Sequence, residues 1–119
     1  MAGKSPTSRT IEVLKRSGYH PEIVERWNPW SKTRRDMYGV IDVLAVRRGE
    51  TLAVQTTTMS NRSKQINKML AAPGTIWMLD AGWKVEVWAW VLRKGRWALR
   101  VTRLVLLENG EMEAIHEET

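Results

Sequence analysis

The stretch Gly39–Thr58, GVIDVLAVRRGETLAVQTTT, constrains the fold more than any other part of the chain. Two apolar runs, VIDVLAV and TLAVQTTT, are rich in β-branched residues and separated by RRGE. They read as paired strands over Gly39–Val46 and Thr51–Thr57 joined by a short turn. Trp83–Leu92 and Trp97–Leu107 bracket RKGR and read as a second, longer hairpin. The rest of the chain must cover the sheet these strands begin. Thr7 or Ser8 caps a helix running to about Ser17, with Gly18 as its stop and Ile11 and Leu14 one turn apart on its apolar side. EIVERW, Glu22–Trp27, alternates as a strand, and NPWSKTRRD follows as a proline-broken loop. From Met59 the polar segment SNRSKQINKML suits a helix capped by Ser60, with Ile66, Met69 and Leu70 as its stripe and AAPG ending it. Thr75–Leu79 reads as a further short strand. The order helix, three strands, helix, three strands gives an α/β (α+β) domain on one sheet, with a C-terminal β-hairpin.

The chain has 119 residues, enough for one core and not two, so residues 1–119 form a single domain. Residues 1–6 are expected to be loose. No apolar run is long enough to span a bilayer, and MAGKSPTSRT has no apolar signal core, so a cytoplasmic protein, bacterial or in a phage-infected host cell, is expected with no membrane partner. Cysteine is absent, which excludes disulfides and thiolate metal sites. All 19 Lys and Arg fall within residues 1–107, against 8 of the 13 acids, and the acidic tail 108–119 holds the other five. A body this basic points to nucleic acid.

Asp42 sits inside the most strand-like run of the chain. Burying an unprotected carboxylate is costly, so something must offset it: a hydrogen-bonding partner, a metal ion, or a place at the open end of the sheet. On the neighbouring strand Gln55 and Thr57 share one face, because side chains alternate. A short turn brings Asp42 close to Gln55. A carboxylate oxygen, an amide oxygen and a backbone carbonyl are hard donors suited, with water, to Mg²⁺ or Mn²⁺.

An Asp in a hydrophobic strand, a short turn, then a strand ending in acid–x–Lys is the signature of the PD-(D/E)XK nuclease superfamily. DMYGVIDVLAV, LAVQTTT and SNRSKQINK resemble it, and the chain is most similar to small archaeal and phage Holliday-junction-resolvase-like endonucleases. The resemblance spans the first helix to Lys68 and implies a restriction-endonuclease-like core with a central mixed sheet. It also implies Mg²⁺- or Mn²⁺-dependent hydrolysis of DNA phosphodiesters, the alternative being a catalytically inactive DNA-binding module on the same fold. Asp42 matches the metal-binding aspartate. Gln55 occupies the position of the second acid, and its carbonyl can still ligate. Thr57 stands where the family has Lys, and Lys64 or Lys68 on the following helix takes that role. Glu12 on the first helix matches the family's outlying acid, a further metal contact. Asp36 supplies another carboxylate or caps its loop. A homodimer is implied, with the Trp-rich hairpin as a face for it.

Arg34, Arg35, Arg47, Arg48, Arg62, Lys64 and Lys68 cluster in sequence around these positions and suit DNA phosphates. Trp77, Trp88 and Trp90 read as sheet packing, whereas Trp27 and Trp30 flank a loop and suit base stacking. His20 and His116 have no companion at ligand spacing and are assigned no role.

Overall fold

The computed structural model describes residues 4–117. Its frame is a six-stranded mixed sheet with one helix on one face and two on the other, an α+β arrangement. Helix α1 (Pro6–Arg16) is capped by Ser5, whose hydroxyl accepts from the Ser8 N–H, and Pro6 occupies the first turn, where its missing N–H costs nothing. Ser5 and Pro6 therefore belong to the helix start, and residues 1–3 of the terminus expected to be loose lie outside the described residues. Gly18, at φ 86°, closes the helix. Strands β1 (His20–Ile23), β4 (Val43–Arg47) and β5 (Glu50–Thr58) follow as an antiparallel run. Between β1 and β4 the chain leaves the sheet to make a separate hairpin, β2 (Arg26–Asn28) and β3 (Thr33–Arg35). The single strand expected over Glu22–Trp27 is thus two strands in two sheets. The break falls at Val24, whose N–H donates to the Asp42 carbonyl at 2.9 Å.

After β5 and a single 3₁₀ turn come α2 (Arg62–Ala71) and α3 (Pro73–Asp80), then β6 (Lys84–Arg93), which pairs with β5 in parallel. Parallel neighbours need the chain to return across the sheet between them, and the two helices make that return. This corrects the strand expected at Thr75–Leu79. Its short apolar run is equally a buried helix, and Pro73 in the first turn and Gly82 (φ 86°) after the end mark it as one. The cap expected at Ser60 also shifts, to Asn61. Strand β7 (Arg96–Leu106) completes the expected hairpin around Lys94–Gly95, both with positive φ as a type I′ turn requires. The acidic tail contributes to the sheet: β8 (Met112–His116) pairs with β7 as an edge strand.

Alternation along the strands divides the core in two. Leu14 of α1 packs with Val43, Ala45, Leu52, Val54 and Trp88. Ile66 and Met69 of α2 and Met78 of α3 pack with Ile41, Ala53, Val85, Val87 and Leu104 on the other face. Trp88 and Trp90 are buried on the α1 side, their indole N–H groups donating to Glu86 and Thr10. Of the hairpin's tryptophans Trp88 and Trp90 are therefore turned inward while Trp97 of β7 is exposed, and Trp77, expected in sheet packing, lies exposed on α3. Among the described residues no helix is long and apolar enough to cross a membrane.

Candidate functional site

The sheet's register decides what meets Asp42. Val43 pairs with Val54, so Asp42 falls opposite Gln55, just before β4 begins. Asp42 lies at the strand's entrance and not in its middle, because Gly39 and Val40 belong to a turn. Met37 to Val40 form a tight reversal with Tyr38 (φ 51°) and Gly39 (φ 75°) at its centre, closed by the Val40 N–H on the Met37 carbonyl at 3.1 Å. That reversal folds Asp36 back over Asp42. Gly74 of α3 holds it in place, since a Cβ there would lie 2.6 Å from the Tyr38 Cβ.

Asp42 is 5% exposed. Its Oδ2 accepts three hydrogen bonds: from the Gln55 amide at 3.0 Å, the Thr56 N–H at 3.1 Å and the Thr56 hydroxyl at 3.1 Å. The Thr56 hydroxyl also meets Thr7 of α1 at 2.9 Å, tying the site to the helix layer. Burial pushes the Asp42 carboxyl up to about 7, with the neighbouring Asp36 carboxylate adding to the rise and the Thr56 bonds opposing it.

Glu25, which precedes β2, and Asp36, which follows β3, complete a cluster. Each of Glu25, Asp36 and Asp42 places a carboxylate oxygen within 4.8 Å of the other two. Two cations reach them: Arg34 Nη1 lies 2.8 Å from Glu25, and Lys68 Nζ of α2 lies 4.0 Å from Asp36. Gln55 is itself 5% exposed, and its Oε1 finds no hydrogen-bond partner among the described residues. Three carboxylate oxygens this close together make an all-oxygen donor set, which fits a hard divalent cation.

The expected residues divide accordingly. Asp42 and Gln55 meet as expected. Glu12 does not join them: it is exposed on α1 and paired with Lys4, which lowers its pKa. Glu25 and Asp36 are the acids beside Asp42 instead. Thr57 is buried one step further along β5, beside Ala89, and brings no charge. Of the two lysines, Lys68 reaches the acids, while Lys64 is exposed and forms no ion pair among the described residues. Arg34 and Arg35 stand on β3 next to the cluster, and Arg62 begins α2 at the same end of the sheet. Arg47 and Arg48 sit at the far end of β4, roughly 16 Å away along the strand. There Arg47 lies over the Tyr19 ring and bonds Glu50 and the Ser17 carbonyl, a structural role.

No family model, curated protein or solved structure matches the chain.

Proposed function

We propose that the protein is a metal-dependent DNA endonuclease with Glu25, Asp36 and Asp42 as the carboxylates that hold Mg²⁺ or Mn²⁺. The observation that carries this reading is the convergence of the three acids at one end of the sheet, with Lys68 reaching them from α2. The element order supports the resemblance to PD-(D/E)XK nucleases: a helix, three antiparallel strands, a helical crossover and a parallel strand. Asp42 and Gln55 then hold the two acidic motif positions, and Lys68 stands in for the lysine that Thr57 lacks.

Hydrolysis adds the oxygen of one water to phosphorus and breaks one P–O ester bond, leaving a phosphate and a hydroxyl. The bound cation would polarise the phosphate and lower the pKa of that water. The chain's own residues do the rest. Thr56 and Gln55 fix the Asp42 carboxylate by three hydrogen bonds, so the acid is oriented before a ligand arrives. Lys68, half-exposed and tethered to Asp36, supplies a positive charge for the phosphorane oxygens. Arg35 and Arg62 grip backbone phosphates without reading bases. A structure-specific substrate, such as a four-way junction cut by a homodimer, follows from the same resemblance.

Thr57 favours a second reading, a DNA-binding module that does not cut. Labelled four-way junction, duplex and single strand, each incubated with Mg²⁺, Mn²⁺ or EDTA, separate the two. Metal-dependent cutting that Asp42→Ala abolishes supports the nuclease. DNA binding without cutting, unchanged in Asp42→Ala, supports the module.

A further inference from the structure

The β2–β3 hairpin stands apart from the main sheet and has a sheet to itself. Its ten residues, RWNPWSKTRR, include four cations and no acid. Trp27 is 58% exposed and Trp30, at the tip, 95% exposed. The tip is braced from within. Asn28 Oδ1 accepts from the Trp30 N–H at 2.9 Å, and the Ser31 and Thr33 hydroxyls meet at 2.7 Å. The indole is thus presented to solvent on an ordered turn.

The root of the hairpin matters more. Glu25 enters it and Asp36 leaves it, and both belong to the carboxylate cluster. Arg34 is spent on Glu25, which leaves Arg26, Lys32 and Arg35 outside any ion pair among the described residues. Arg26 and Arg35, together with Glu22 and Asp36, also line a cleft of about 410 Å³ that runs to Ile23 at the sheet edge. A polyanion held by those arginines lies directly beside the acids.

We infer that this hairpin binds an unpaired DNA strand, stacking bases on Trp30 and Trp27 and leading the backbone past Arg26 and Arg35 to the carboxylates. An indole can stack on a base only where the base exposes its face, which a duplex denies and a single strand, flap or junction centre offers. Charge complementarity selects a polyanion, and the exposed aromatics select an unpaired one. The inference names the substrate class of the proposed nuclease and rests on that reading for the cut, though not for the binding.

Binding in EDTA keeps the two apart. The full chain is titrated into a labelled single strand about 20 nucleotides long, and into its duplex, with anisotropy as the readout. The single strand binds more tightly. Trp30→Ala weakens it roughly 5- to 100-fold and leaves duplex binding unchanged. Arg35→Ala flattens the salt dependence of log K by about 0.7, whereas Trp30→Ala does not. Thermal unfolding of each variant confirms the fold, which an exposed tip residue leaves intact. No single-strand preference, or a Trp30→Ala variant that binds like wild type or loses both substrates equally, overturns the inference. Trp30-dependent binding with no cutting under any metal upholds it while the nuclease reading falls.

Discussion

Replacing Asp42 by Asn should stabilise the metal-free protein at pH 8 and have no such effect at pH 4. Asp42 titrates near 3.8 when unfolded and is pushed up to about 7 in the fold by burial and by Asp36. Between those values the folded state holds a proton that the unfolded state has lost, so stability falls as pH rises from about 4 to about 7. A rise of that size corresponds to at most ~4 kcal/mol, and screening by residual solvent access brings this to about 2 kcal/mol. Asparagine removes that cost. Its oxygen can keep the donors from Gln55 and Thr56, and its amide can donate to Asp36 as the protonated acid does. A chain of this length gains about 4 °C in Tm per kcal/mol, so Asp42→Asn should melt roughly 8 °C above wild type at pH 8 in EDTA, by circular dichroism. The gap should shrink as pH falls through the window and close near pH 4. Mn²⁺ should raise the wild-type Tm more than that of the variant. An Asn variant that melts below wild type at pH 8, or a gain independent of pH, would refute the reasoning.

Other outcomes follow from the same geometry. At Mg²⁺ too dilute to fill the site, the single-turnover cutting rate should rise about tenfold per pH unit up to about 7 and then level off, because cation binding requires Asp42 to lose its proton, and saturating Mg²⁺ should move that bend to lower pH. Lys68→Ala should slow cutting on the order of 100-fold while shifting stability by under about 0.5 kcal/mol, since its ion pair with Asp36 is long and half-exposed. Gly74→Ala should cost about 1–3 kcal/mol in chemical denaturation, because its methyl would press on the Tyr38 Cβ and displace the turn that carries Asp36.

Much of this was legible in the residues, for physical reasons. Both hairpins announce themselves through strand-forming runs around two-residue turns, and counting back across Arg48–Gly49 puts Asp42 opposite Gln55. Lys68 could be named because it lies on the helix that directly follows β5. Thr56 was harder. Its side chain faces α1 by alternation, yet it reaches Asp42 because that acid lies before the strand, where the pleat no longer separates the faces. The helix Pro73–Asp80 was hidden by the apolar shortness of TIWML, and only the parallel pairing of β5 and β6 demands it. Glu25 was beyond reach from spacing alone. It meets Asp42 because the ten residues between Glu25 and Asp36 close on themselves as a hairpin, a long-range event that no local pattern encodes. The Tyr38–Gly39 pair was the one local clue that Asp36 would fold back.

The most direct test of the central claim is a Mn²⁺ titration at pH 8 followed by electron paramagnetic resonance, comparing wild type with Asp42→Asn, Asp36→Asn and Glu12→Gln. A cation held by Glu25, Asp36 and Asp42 predicts a saturable site in wild type and in Glu12→Gln, weakened at least about tenfold in the two Asn variants. Binding unchanged in Asp42→Asn, or lost in Glu12→Gln alone, would contradict it.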